Sequence, residues 1–382
     1  MTEGIALGIA HLVAEDVELG GRFVTLQGRR QVNFGSCSYV GLETDLRLKD
    51  GACDAVARYG VQFASSRAYV SCPPYRELER LLGEIFEAPL VVAQTTTLAH
   101  FAALPILVER GDAVVCDQMV HSSVQAVLPT LEAAGTLCRF VRHSRVDRLD
   151  ELVAALARDH DRVWYLADGV YSMHGDAAPT AALRELTARH EQLHLYLDDA
   201  HGMSWTGKHG RGSVLGAGLP PERTVVVTSL AKAFSAGGAA VVFPNREIAR
   251  LVRTCGSSLI FSGPLQPPLL GAGVASARIH LSDEIGDRQR RLVERIQLFN
   301  ALAAARGLPL GSADATPIRF VTVGDNPTTY RLVADLMKQG FYANAAVFPA
   351  VSAGRGGVRI ALTVHQTLDD IRALVDEIAR RL

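Results

Sequence analysis

LHLYLDDAHG, residues 193–202, is the stretch on which the fold turns: an apolar run ends in two acidic residues, and a histidine follows Asp198 by three positions. The run is short, apolar and bounded by polar residues, which reads as a strand buried in a sheet and closed by a turn. A carboxylate withdrawn from water protonates unless a cation or hydrogen-bond donors hold it ionised. A protonated heterocyclic nitrogen would satisfy Asp198, and His201 would then donate to an oxygen on the same ring. The plainer alternative makes Asp198 a helix cap and His201 a satisfied loop histidine.

Working outward, similar apolar runs alternate with stretches of helical period from about Asp45 to Phe243, the pattern of repeated βα units. Strands are predicted over 113–117, 137–142, 163–168, 193–198, 224–228 and 239–243, with amphipathic helices over 75–87 and 147–160. This is an α/β fold with a mostly parallel sheet. Ligands bind such sheets at the carboxyl ends of the strands, where Asp117, Asp168, Asp198 and Thr228 fall. Past the Gly263-Pro264 and Pro267-Pro268 breaks, a long charged helix over 282–306, strands over 318–323 and 358–362 and a helix near 330–339 predict a smaller C-terminal α+β domain. The expected organisation is an arm and hairpin at 1–44, a large domain at 45–270 and a small one at 271–382.

TVVVTSLAKAFSAGG, residues 224–238, is the second chemical signal: a Val-rich strand runs into Ser229, Lys232 and a cluster of small residues. Desolvation there lowers a lysine pKa toward a nucleophilic amine able to form an imine. Gly237 and Gly238 permit close approach of backbone to a ligand, and the Ser229 hydroxyl can bind a phosphate. Most lysines, however, are solvated surface residues.

Lys and Arg number 39 against 40 acidic residues, a formal charge of -1 that gives no general attraction to nucleic acid or an anionic membrane. A small molecule is the expected partner. The six cysteines form no C-x-x-C pair and no zinc spacing, so they read as reduced, mostly buried thiols and no metal is expected. The first twenty residues lack the basic start of a targeting peptide and no apolar run reaches spanning length, which places the protein in the cytoplasm.

Together the two segments resemble the α-oxoamine synthase family of fold-type-I pyridoxal 5′-phosphate (PLP) enzymes, which share the aspartate aminotransferase-like fold. The resemblance extends through NFGSCSYVGL (33–42), MVHSSVQ (119–125), DGVYSMHGDAAP (168–179) and RIALT (359–363). It implies that Lys232 holds PLP as a Schiff base, Asp198 pairs with the pyridine nitrogen, His201 and Ser172 contact the ring oxygen, and His121 stacks on the ring. Asp168 stands where the family usually has glutamate. The phosphate site falls on Thr95, Thr96 and Thr97 at a helix start, which could equally be a simple capped turn. Arg359 matches the arginine that clamps the amino acid carboxylate, a task suited to a bidentate donor; otherwise it is an edge-strand arginine facing water.

The reaction implied is a decarboxylative condensation of an amino acid with an acyl thioester to an α-aminoketone, with Lys232 as base and His121 and His201 polarising the incoming carbonyl. The family's Asn-Asp before tyrosine is Cys37-Ser38 here. Its glycine-rich stretch is VQFASSRAYVS (61–71), which keeps Ser66 and Arg67, and a family histidine aligns with Tyr75. Arg67 and Tyr75 are thus expected near the substrate entrance, and an acyl carrier protein joins acyl-CoA as a candidate donor. The family forms homodimers, and SLIFSGPLQPP (258–268) resembles the stretch that reaches the neighbouring phosphate, with Ser262 as its nearby donor. The altered 61–75 stretch leaves a second reading, an aminotransferase, decarboxylase or retro-aldol enzyme without an acyl donor. A third, a binding protein on a retired scaffold, conflicts with keeping a buried lysine and a buried carboxylate together.

Overall fold

A computed structural model describes residues 2–382, which divide into two compact units. The chain starts with α1 (Thr2–Ala6) and the hairpin β1 (Phe23–Leu26) and β2 (Arg29–Asn33). Next come α2 (Leu46–Tyr59), α3 (Pro74–Phe86), β3 (Leu90–Ala93), α4 (Thr96–Leu107), β4 (Ala113–Asp117), α5 (Ser122–Gln125), α6 (Leu128–Ala133) and β5 (Leu137–Val141). They are followed by α7 (Val146–Leu156), β6 (Val163–Asp168), α8 (Thr180–Arg189), β7 (Leu193–Asp198), β8 (Thr224–Ser229), β9 (Ala239–Val242), α9 (Arg246–Cys255), α10 (Ser257–Ile260) and α11 (Pro267–His280). The chain closes with α12 (Glu284–Ala305), β10 (Ile318–Gly324), α13 (Asn326–Lys338), β11 (Phe341–Tyr342), β12 (Asn344–Ala346), β13 (Gly356–Ala361) and α14 (Leu368–Ala379).

The larger unit, residues 45–171 and 177–286, is built on a seven-stranded sheet in the order β3-β9-β8-β7-β6-β4-β5. The strands from β8 to β5 run parallel, and β9 is antiparallel to both its neighbours, β8 and β3. All residues of β4, β6 and β8 are buried, as an apolar parallel sheet covered on both faces requires. Side chains alternate between two apolar layers: Leu195 and Leu197 of β7 join Leu78 and Leu82 of α3, while Tyr196 joins Ala99 and Ala103 of α4. β6 and β7 pair with Asp168 opposite Asp198, so two carboxyls end adjacent strands side by side.

The smaller unit comprises residues 1–44, 172–176 and 287–382. It holds the sheets β10-β13-β12 and β1-β2-β11, with Phe320, Ala346 and Val351 forming a small apolar cluster. Arg22 and Asp370 form an ion pair at 2.9 Å within it.

Two expectations about organisation change. Residues 1–44 group with the C-terminal segment because β2 pairs in parallel with β11, a contact no local pattern announces. Residues 271–286 stay with the large unit because α11 packs along α2 and α3. The strand expected over 224–228 runs one residue further, so Ser229 rather than Thr228 ends it. Of the six thiols, Cys72, Cys116 and Cys138 are buried, whereas Cys53 and Cys255 are exposed.

α2 and α11 approach so closely that a Cβ built on Gly271 would lie 2.1 Å from the carbonyl oxygen of Gly51. That oxygen is backbone and cannot swing aside. Gly271→Ala should therefore destabilise the protein by about 1–3 kcal/mol through overpacking, measured as a lower urea midpoint with an unchanged slope; an unchanged midpoint would show that the helices part freely.

Candidate active site

β7 carries Asp198 to the carboxyl edge of the sheet, where 5% of its surface remains exposed. Its Oδ1 accepts the Ala200 N–H at 3.0 Å, and its Oδ2 lies 3.1 Å from Nε2 of His100, a histidine with no exposed surface. Burial opposes ionisation, but His100, the charge of Lys232 and the Ala200 N–H outweigh it and hold the carboxyl below its ordinary range. Among the described residues, Asp168 has only the His121 N–H, at 3.0 Å. Burial and the charge of Asp198 push Asp168 well above the usual carboxylate range. The two environments pull the carboxyls apart, favouring the ionised form of Asp198 and the protonated form of Asp168.

Lys232 follows β8, and its Nζ lies 2.9 Å from His201 Nε2. Its position is set by a tight return of the chain, in which the Ser235 N–H donates to the Lys232 carbonyl at 2.8 Å and Leu230 N–H to that of Gly238 at 2.9 Å. Ser235 takes the left-handed conformation at φ 62° that such a return demands. His201 begins a loop pinned by Asp199, whose carboxylate accepts from Ser213 N, Ser213 Oγ and Val214 N. The Trp205 indole N–H fixes the His201 carbonyl at 2.6 Å.

His121 is the N-cap of α5, with Nδ1 2.7 Å from the Ser123 hydroxyl. Partial burial lowers its pKa, favouring the neutral ring. Thr95 caps α4 through a bond from the Leu98 N–H, and Thr96 and Thr97 open the helix with no acidic residue in the first turn. Such a terminus suits a dianion. The Ser229 hydroxyl accepts the Ala231 N–H, and the Ser262 hydroxyl donates to Gln94 at 3.2 Å, just before the Thr run. An amine, a buried ionised carboxylate, a neutral histidine and an anion-binding helix start form a donor set that fits PLP.

In the smaller unit, β13 presents Arg359, whose Nε donates to the Ser172 carbonyl at 2.6 Å and whose Nη2 meets Cys37 Sγ at 3.7 Å. Burial works against its charge, but Tyr39 and Cys37 raise its pKa, so the guanidinium stays cationic.

Arg67 and Tyr75, expected near the substrate entrance, pack on one another beside an edge strand. The Arg67 guanidinium stacks 3.6 Å from the Tyr75 ring centroid, donates to the Val92 carbonyl at 2.8 Å and pairs with Glu79 at 2.9 Å. Glu79 accepts the Val92 N–H, and the Tyr75 hydroxyl accepts the Leu265 N–H at 2.7 Å. Both side chains are buried and brace β3, an edge strand whose backbone groups need partners. A cleft of about 720 Å³ between α2, α3 and α11, lined by Gly51, Tyr59 and Gly271 among others, does not include Lys232, Asp198 or His201.

His100, Tyr196 and the structural role of Asp199 escaped the sequence reading. A signal existed for the first: His100 is a lone imidazole in the otherwise apolar interior of TTLAHFAALPIL.

The model of the family described as aminotransferase class I and II matches residues 29–378. Over 348 residues the chain is 31% identical to an 8-amino-7-oxononanoate synthase of Symbiobacterium thermophilum, covering 91% of this chain and 87% of the relative. A synthase of the same name from Salmonella paratyphi B is 31% identical over 362 residues, 93% of this chain and 90% of its own. Among solved structures, a serine palmitoyltransferase from S. paucimobilis with bound PLP–myriocin superposes with a TM-score of 0.91 at 22% identity, covering 100% of this chain and 95% of that one. The 8-amino-7-oxononanoate synthase of Francisella tularensis gives 0.78 at 22% identity, covering 92% and 97%.

Burial raises the Asp199 pKa from 3.8 to about 7 against the pull of its three Ser213 and Val214 donors. An acid whose folded pKa lies above its unfolded value stabilises most below the unfolded value and loses that contribution as pH rises through the folded one. Unfolding free energy should thus fall between about pH 4 and pH 7, by on the order of 4 kcal/mol from this group. Asp168 acts in the same sense and Asp198 in the opposite one. Asp199→Asn, whose amide oxygen can take both N–H groups while its nitrogen donates to the serine hydroxyl, should flatten that slope; denaturant titrations across pH with parallel curves for both proteins would contradict it.

Proposed function

The chain belongs to the aminotransferase class I and II family, on its α-oxoamine synthase branch, and from that premise we propose how its residues perform the branch's reaction. It is a PLP-dependent acyltransferase that condenses an amino acid with an acyl thioester. The net change joins the α-carbon to the acyl carbon: an amino acid, a thioester and one proton become an α-aminoketone, CO2 and a thiol.

Lys232 would hold the cofactor through its amine, Asp198 its pyridine nitrogen, His201 and Ser172 its ring oxygen, His121 its face, and Ser229 with Thr95, Thr96 and Thr97 its phosphate. Bound there, PLP supplies an electron sink for negative charge developing at the substrate's α-carbon. Lys232 Nζ takes the α-proton, held in reach by His201 at 2.9 Å. Arg359, kept cationic, orients the amino acid carboxylate until it leaves as CO2. His121 and His201 polarise the acyl carbonyl. The observation that carries this reading is the lysine amine against His201 at the same sheet edge as a buried carboxylate held ionised.

We read the active form as a homodimer. Val61, Tyr69, Val70 and Phe261 are large, apolar and exposed, and Ser66 Oγ ties their two segments together at the Ile260 carbonyl, 2.7 Å away. A face of this kind is usually covered by a partner. Six cysteines without a disulfide agree with a cytoplasmic setting, and among the described residues no helix is long and apolar enough to cross a membrane. The donor we read as acyl-CoA or an acyl carrier protein.

Free thiol should appear only when an amino acid and a thioester are both present, and Lys232→Ala should abolish it together with the bound cofactor's absorbance. Conversion of the cofactor to its amine form by an amino acid alone would instead mark a transaminase. Arg359→Ala should raise KM for the amino acid roughly 10- to 100-fold, the loss of a charged hydrogen bond; an unchanged KM would remove Arg359 from the substrate site.

A further inference from the structure

Side chains two apart on a strand share a face. Tyr196 lies in the apolar layer built with α4, so Asp198 faces α4 as well. The one imidazole inside that helix, His100, meets both residues: Nδ1 is 2.9 Å from the Tyr196 hydroxyl and Nε2 is 3.1 Å from Asp198 Oδ2. His100 and Tyr196 have no exposed surface. A carboxylate oxygen only accepts, so Nε2, the ring nitrogen facing Asp198, carries the proton directed at it, and the Tyr196 hydroxyl holds the ring from its other nitrogen. Lys232, His121, Asp168 and Asp199 are the other titratable groups whose charge reaches this carboxylate or responds to it.

Asp168 and Asp198 end adjacent paired strands, and both are buried. By strand position alone, either could carry the negative charge. The asymmetry between them is His100: Asp198 receives an imidazole N–H and the Ala200 N–H, whereas Asp168 receives only the His121 N–H. We propose that His100, oriented by Tyr196, is a positioning residue that assigns the negative charge to Asp198 and thereby sets the proton affinity of the cofactor's pyridine nitrogen. This rests on the reading of Asp198 as the pyridine partner. His100 touches neither substrate nor cofactor; it acts through the carboxylate.

The test uses the full-length protein. Apoprotein of wild type, His100→Leu, His100→Gln, Tyr196→Phe and Asp198→Asn is titrated with PLP, and the bound chromophore is then titrated with pH. His100→Leu should weaken PLP binding about 10- to 100-fold, the range for loss of a group that orients a ligand-holding residue, and move the chromophore's titration midpoint by roughly a unit. His100→Gln, whose amide can still donate to Asp198, should recover most of both. Tyr196→Phe, which removes one oxygen and so keeps the question open where His100→Leu fails to fold, should shift the midpoint in the same direction by less. Wild-type affinity and midpoint in both His100→Leu and Tyr196→Phe, with Asp198→Asn severely impaired, would reduce His100 to a packing residue and leave Asp198 in place. Wild-type behaviour of Asp198→Asn would remove the pyridine partner itself and the proposal with it.

Discussion

A negative charge must persist inside a dry, seven-stranded sheet, and most of the surrounding architecture follows from that requirement. Neighbouring strands are about 4.8 Å apart, so two ionised carboxylates at paired positions of β6 and β7 would repel strongly in so low a dielectric. The structure resolves the conflict by unequal hydrogen bonding rather than by distance. Asp198 gains an imidazole, a backbone N–H and the charge of Lys232, while burial and the charge of Asp198 push Asp168 well above the usual carboxylate range. The third acid in the group, Asp199, feels the charge of Asp198 but turns its oxygens to the 213–214 segment, which fixes the loop that begins with His201.

The lysine depends on a different part of the sheet. After β8 the chain carries Lys232 outward, turns through Ser235 and returns as β9 beside the strand it just left. Gly238, at φ 94°, makes the return possible: a Cβ there would stand 2.8 Å from the Ala93 carbonyl of β3. Lys232 is thus aimed by backbone contacts with β9 and β3, two antiparallel neighbours, while the carboxylate it serves is aimed by the parallel half of the sheet.

The parts legible in the sequence are those with a local signature. Apolar runs ending in Asp or Thr marked β4, β6, β7 and β8, and the charged and amphipathic helices followed from their spacing. Lys232, Asp198 and His201 stood out because small and polar residues interrupt strongly apolar strands. What stayed hidden is non-local. β3 is LVVA, four residues too short to separate from the end of a helix, and the β2–β11 pairing joins segments some three hundred residues apart. His100 drew no reading, because its meaning comes only from the strand phase that turns Tyr196 and Asp198 toward it.

Arg67 shows how a charged side chain can stand in for a missing strand. β3 is an edge strand, and Val92 in it has an N–H and a carbonyl with no neighbouring strand to bond. Arg67 donates to that carbonyl and Glu79 accepts that N–H, so one ion pair replaces the missing ladder rung, with Tyr75 stacked against the guanidinium. Removing Glu79 would leave the buried Arg67 guanidinium without its ion pair, the costlier half of the exchange because Glu79 itself keeps contact with solvent. The strand that this pair secures is the one whose Ala93 carbonyl abuts Gly238. Arg67 thus holds the edge of the sheet against which the turn carrying Lys232 is folded.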